Sequence, residues 1–286
     1  DMGLSFASGA YVHFLPNIAG FVGGDHMAML LATTQVKASG LVMALDIGTN
    51  TEVSLIDGEN ISSVSCASGP AFEGYHIQHG MRAARGAIEK VRIEDKAVQI
   101  QTIDEAPPAG ICGSGVLDAM AQLYLTGVVD GSGRMLDGHP RVRTGPDYRE
   151  FVLVAEGESG APTAVVLTQH DIRELQLAKA AIRTGIQVLL ATSGRKEPEL
   201  DQVIIAGAFG TYIDISSAVA IGMMPGLPLD RFRQVGNAAG MGARMALISA
   251  TQRMKAQTLA SQVKYVELGS APHFTETFLN ACSLAT

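Results

Sequence analysis

Between two apolar runs, Asp46, Gly48, Thr49, Asn50 and Thr51 place a carboxylate, two hydroxyls and an amide close together in the stretch ALDIGTNTEVSL. These residue types suit a polyphosphate. Gly48 lacks the Cβ that would hold the backbone away from it. Thr49 and Thr51 offer hydroxyls and Asn50 an amide, while Asp46, at the end of a buried strand, could hold Mg²⁺ directly or through water because hard oxygen ligands suit that ion. An ordinary polar hairpin would carry the same residues, and the short motif alone does not separate the two readings. Other phosphate-binding patterns are absent: there is no G-x-x-x-x-G-K-[ST], and no G-x-G-x-x-G joins a strand to a helix.

Two further places could bring a backbone close to a flat or anionic ligand. Gly207, Ala208, Phe209 and Gly210 follow an apolar strand, though a strand-to-helix turn needs glycine for its backbone angles alone. Gly113 and Ser114 open a helix whose first amides could point at a nucleotide, against the plainer reading of a tight loop entry. His76 and His79 are spaced i, i+3, but no third ligand stands at a telling interval, so a helix surface or a partner-facing patch is favoured over a metal site. Arg82 and Arg85 could meet a phosphate or an acidic partner; a solvated face is the simpler account. No nucleophile, base and orienting group form a legible set, and the catalytic residue stays unknown.

The elements that must position these groups follow from periodicity. Residues 11–16 read as a strand and 20–32 as a loop and short helix. Residues 41–45, 52–56 and 61–66 read as a three-strand meander, with Asp57-Gly58 as a hairpin turn. Residues 91–93 and 98–103 flank Glu94-Asp95-Lys96 as one hairpin, and 151–154 with 164–167 form another. A helix opens within 110–115 and runs to Leu125. Thr168 and Asp171 form a capping box for a helix in which Ile172, Leu175, Ala178, Ile182, Ile186 and Leu189 keep helical spacing up to Gly194. A buried strand, 202–206, precedes the Gly207 turn. A final helix, 237–250, carries Ala239, Gly240, Ala243 and Ala246. Its small-residue face could cross the 20–32 helix closely, in static packing or to permit shear between two halves of a cleft. Mixed sheet plus helices makes an α/β or α+β fold.

Composition narrows the function classes. The chain is 47% hydrophobic and 17% charged, as a well-buried globular protein should be. Twenty-eight acidic against 21 basic side chains give a net charge of −7, which argues against a nucleic-acid partner. No apolar run reaches membrane-spanning length and no signal peptide opens the chain. Cys66, Cys112 and Cys282 are far apart and read as small core residues in a reducing compartment, with cytoplasm as the default. The start at Asp1 suggests a fragment or a processed product.

The phosphate hairpin, small-residue turn and small-residue helices, in this order, resemble the superfamily of actin, sugar and acetate kinases and heat-shock ATPases. LPNIAGFVGGDHMAMLLAT, LDIGTNTE, CASGPAFEGYHIQHGMRAARGAIEKVRI, PPAGICGSGVLDA, LTQHDIRELQLAKAAIRTGI and the segment from IIAGAFGTYID to GNAAGMGARMAL are similar to the C-terminal part of the reductive activators of corrinoid proteins. The resemblance runs from about Val12 to the end. It implies a ribonuclease H-like, actin/sugar-kinase-like ATPase subdomain with a mixed sheet. Residues 1–40 would be a remnant of the first ATPase subdomain with a connecting helix. Residues 41–286 would be the second, nucleotide-binding subdomain with hairpin insertions.

The resemblance further implies ATP or ADP and Mg²⁺ as ligands, with residues 46–51 as the second phosphate loop and 207–210 as the adenosine turn. In that family a similar D-x-G-T-T-T loop lies upstream and a [2Fe-2S] domain precedes it; this chain has neither. It would thus be the ATP-binding and coupling segment of a machine that reduces a Co(II) corrinoid to Co(I), binding nucleotide weakly by itself. The expected partners are a corrinoid protein of a methyltransferase system and a second copy in a homodimer. Rival readings are a small-molecule kinase of the same superfamily, which needs a catalytic Asp base, and a non-catalytic docking or dimerisation module.

Overall fold

The computed structural model describes residues 7–33, 40–94 and 96–284. Its first helix, α1 (Gly24–Thr33), precedes three strands joined by tight turns: β1 (Leu41–Ile47), β2 (Thr51–Asp57) and β3 (Asn60–Cys66). Both pairings are antiparallel, and Gly58 takes φ 62° at the second turn, a conformation that glycine adopts without a Cβ penalty. The meander expected from the alternation is therefore present.

Then come β4 (Ala87–Glu94), β5 (Ala97–Thr102), β6 (Gly110–Ile111), α2 (Gly113–Leu125), β7 (Val142–Thr144), β8 (Arg149–Val154) and β9 (Val165–Thr168). They make two small three-stranded sheets, ordered β5-β4-β6 and β7-β8-β9. Both expected hairpins form, although Ile103 leaves its strand for a 3₁₀ turn. Asp95, at the first hairpin's turn, lies outside the described residues.

The long helix α3 (Gln169–Thr192) returns the chain to β10 (Leu200–Ala206), which lies parallel to β1 because the crossover is long enough to reverse direction. The Thr168 hydroxyl accepts from Asp171 N at 3.1 Å, and Asp171 Oδ2 accepts from Thr168 N at 2.8 Å, completing the capping box. All six residues of its expected apolar stripe are buried, and Gly194 takes φ 67° just past its end. The chain continues through α4 (Ile215–Ala220), β11 (Phe232–Gly236), α5 (Ala238–Ile248), α6 (Ala250–Gln262), β12 (Val263–Tyr265) and α7 (Phe274–Ala281).

The central sheet runs β11-β10-β1-β2-β3-β12 and is mixed. Alternation sorts its side chains into two cores. Met43, Leu45, Ile47, Val203 and Ile205 meet α2 and α3 on one face. Val42, Ala44, Ile204 and Ala206 meet α1, α5 and α6 on the other. There α1 and α5 cross so closely that a Cβ on Gly242 would overlap the Ala28 carbonyl oxygen.

Two expectations fail here. Residues 11–16 form no strand, and Tyr11 and Phe14 lie exposed; their apolar content has no sheet edge to pair with, and only Leu15 packs against the second core. The helix expected over 237–250 ends at Ile248. Ser249 (φ −137°, ψ 117°) breaks it, and its side chain accepts from Gln252 N at 3.3 Å to start α6. Among the described residues, no helix is long and apolar enough to cross a membrane.

Candidate functional site

The ends of β1, β10 and β6 open onto one cleft of about 750 Å³, and a tight turn from each meets there. After β1, Gly48 N donates to Asn50 O at 3.1 Å, which closes the bend that carries Thr49. After β10, Gly207 takes φ 95°; a Cβ there would overlap the Ile47 carbonyl and stand 3.0 Å from Asp46 Oδ1. At the start of α2, a Cβ on Gly113 would overlap the Phe72 carbonyl and come within 3.0 Å of the Phe209 ring. Gly207 thus lets the turn after β10 lie against the β1 backbone, and Gly113 lets the start of α2 lie against the Phe72 backbone and the Phe209 ring. Phe72 and Phe209 stack at 4.7 Å between ring centres, 19° from parallel, and form an apolar wall.

Nine of the residues expected at a site line this cleft: Asp46, Gly48, Thr49, Asn50, Gly113, Ser114, Gly207, Ala208 and Phe209. Thr51 does not. It is fully buried, with its hydroxyl 2.9 Å from Ser68 Oγ, and it ties the turn down from behind. Gly210 is also buried behind the cleft, where a Cβ would press on Ile205.

Much of the cleft's negative charge comes from Asp25, Glu52 and Glu73, which the sequence did not single out as site residues. Arg82, weighed there as a possible phosphate contact, does line the cleft. Asp25, Glu52 and Glu73 join Asp46 in its lining, and Arg82 is the one Lys or Arg among the described lining residues. Asp46 and Glu52 are paired across β1 and β2 on the α1 side of the sheet. Burial first, then the Asp25 carboxylate, pushes Asp46 up to about 6. Burial also pushes Glu52 up to about 7; Ser65 Oγ, donating at 3.2 Å, opposes this, and Asp25 and Asp46 add to it. Glu73 accepts a hydrogen bond from the Thr49 hydroxyl. Glu52 was legible in principle, since alternation along β2 puts it on one face with Ser54, and the short turn sets it opposite Asp46.

Behind the carboxylates, fully buried His26 places Nε2 2.7 Å from Ser54 Oγ, which lies 2.5 Å from Ser63 Oγ. Burial holds its imidazole down at about 4, against the opposing pull of Asp25. His76 and His79 lie in turns rather than on a helix, and among the described residues no three His, Cys, Asp or Glu side chains form a metal cluster. Arg85 is exposed away from the cleft lining. Cys66 is buried in the main core, Cys112 is buried with its thiol 3.3 Å from Ile88 O, and Cys282 is half-buried; all three are free.

Comparison with known proteins places this arrangement. Residues 40–286 match the profile of the C-terminal domain of RACo, the ASKHA domain. The chain belongs to this family. It is 38% identical over 277 residues to the corrinoid activation enzyme RamQ of Eubacterium limosum, covering 94% of this chain and 46% of that one. It is 27% identical over 300 residues to a Co(II) methylated amine-specific corrinoid protein reductase of Methanosarcina barkeri, covering 97% and 52%. The solved structure of a reductive activator for corrinoid, iron-sulfur protein superposes with a TM-score of 0.87 at 39% identity, covering 94% of this chain and 44% of that one. The chain spans about half the length of these relatives. The mixed sheet with helices on both faces is accordingly the actin-like fold of an ASKHA domain.

Proposed function

We propose that this chain supplies the ATP-binding and coupling part of a reductive activator that takes a corrinoid protein from Co(II) to Co(I). One observation carries the reading. In a RACo-family domain, three separate glycine turns and the Asp46 carboxylate converge on one cleft of nucleotide size. The turn from Asp46 to Asn50 would face the phosphates. Gly207, Ala208 and Phe209, with Gly113 and Ser114, would face the adenosine.

The donor set also fits Mg²⁺. Four carboxylates in the lining repel a polyphosphate, and burial, with the neighbouring carboxylates adding to it, raises Asp46 and Glu52 above the usual carboxylate range. Asp46, with Glu52 behind it, would hold the ion, whose charge would offset that repulsion when bound. Residues 1–40, including α1, would then be the remnant of one subdomain, and 41–286 the other. Nucleotide would favour one arrangement of α1 against α5, since only differential affinity shifts such an equilibrium. The [2Fe-2S] donor would belong to the remaining length of a longer cytoplasmic protein, which would act as a homodimer on the corrinoid protein of a methyltransferase system.

The test is Asp46→Ala in a full-length activator, followed by the absorbance change from Co(II) to Co(I) corrinoid with and without Mg-ATP. ATP-dependent reduction should fall while the fold is kept. Unchanged reduction would remove Asp46 from the mechanism.

A further inference from the structure

The cleft's guanidinium is carried by a segment whose backbone is fixed while its polar side chains are free. Residues 75–86 form neither helix nor strand. Ile77 is buried beneath them, Gln78 N donates to Asp171 Oδ1 at 2.9 Å, Met81 N to Ile111 O at 2.9 Å, and Ile111 N to His79 O at 2.8 Å. A Cβ on Gly80 would overlap the Gly74 carbonyl, and His76 is held at φ 64°, where few non-glycine residues sit. Against this anchoring, Tyr75, His76, Arg82 and Arg85 remain exposed.

Arg82 is the member of this set that reaches the cleft. Its Nη2 donates to Tyr75 Oη at 3.4 Å, and among the described residues it makes no ion pair, although four carboxylates line the same space. Glu73, just before the segment, bonds to Thr49, so this wall adjoins the turn that would face the phosphates. A fixed loop backbone that carries a planar guanidinium free of ion pairs beside a phosphate turn can supply an oxyanion contact.

Resting on the nucleotide reading above, we propose that Arg82 contacts the terminal phosphate and makes the cleft discriminate nucleoside triphosphate from diphosphate. A diphosphate lacks the group that Arg82 would hold, so this contact adds affinity for the triphosphate alone.

Calorimetric titration of a full-length activator containing this chain, with Mg-ATP and with Mg-ADP, tests the assignment. Arg82→Ala should weaken Mg-ATP binding about tenfold or more, the worth of a charge-assisted hydrogen bond, and leave Mg-ADP within about twofold. Arg82→Lys, which keeps the charge without the fork, should recover only part of the difference. Arg85→Ala, on the same loop but outside the cleft, should change neither. If Arg82→Ala does not fold, Arg82→Lys carries the comparison. An unaltered ATP-to-ADP affinity ratio in the folded variant overturns the role of Arg82 and leaves nucleotide binding standing. Wild-type full-length activator that binds neither nucleotide overturns both.

Discussion

Asp46 and Glu52 face each other across the hairpin of β1 and β2, two carboxylates in register on neighbouring strands. Like charges so placed destabilise a sheet, and both groups are raised well above the carboxylate range, to about 6 and about 7. Burial is the larger cause for both, with Asp25, and for Glu52 also Asp46, adding to it, so the fold carries two unfavourably buried carboxylates beside its cleft.

Their burial sets a pH dependence. An acid whose folded pKa lies above its unfolded value binds more protons when folded, so it disfavours folding as pH rises. The cost is absent below about 4, grows through the window from the unfolded values (3.8 and 4.5) to the folded ones (about 6 and about 7), and is complete above about 8. Glu52→Gln should raise stability at pH 8 by up to about 3 kcal/mol, following the rise from 4.5 to about 7, and flatten the pH profile of urea unfolding. A wild-type profile without that fall, or a variant no more stable, would refute it.

His26 should act in the opposite sense. Its folded pKa, about 4, lies below the unfolded 6.5, so its contribution is full above 6.5 and lost as pH falls towards 4. His26→Gln should remove part of the acid sensitivity of unfolding between those limits. Identical acid limbs for variant and wild type would show that the imidazole does not titrate in this way.

Gly242 lies on the Ala28 carbonyl, and a single methyl there must push α5 off α1. Gly242→Ala gains about 1 kcal/mol of helix propensity, yet overpacking against an immovable backbone costs about 1–3 kcal/mol. A net loss of stability is expected in urea unfolding, with helical circular dichroism retained. A stabilised variant would show that the crossing has slack.

Asp171 serves both the cap of α3 and the loop that carries Arg82, through bonds to Thr168 N and Gln78 N. Thr168→Ala should cost about 1 kcal/mol, the usual worth of an N-cap. Asp171→Ala should cost about 3 kcal/mol, because it leaves two backbone donors without partners. It should also speed hydrogen exchange at Gln78, which the Thr168 variant should not. Equal costs and equal exchange would separate the loop from the helix cap.

What could be read in advance was local. The β1–β2 turn, the Thr168 cap with its apolar stripe, and the small-residue crossing of α1 and α5 each rest on contacts that periodicity or turn chemistry encodes. Elements whose stability comes from remote partners were missed: β11 carries exposed Arg233 and Gln234, α6 buries only Ala256, and β12 is three residues laid against β3. The same division runs through the cleft. Motif residues were found by type and Arg82 was named as a possible phosphate contact, but Asp25 and Glu73 reach the cleft from segments whose convergence depends on the whole sheet.

The bond between Thr49 and Glu73 carries a last consequence. On the proposed nucleotide reading, a carboxylate oxygen already occupies the hydroxyl that an incoming oxyanion would use, so the cleft would hold an internal surrogate for that guest. Any anion settling on Thr49 must first evict that incumbent. Its measured affinity is therefore a difference between two competitors, and removing the incumbent side chain alters grip without touching the guest.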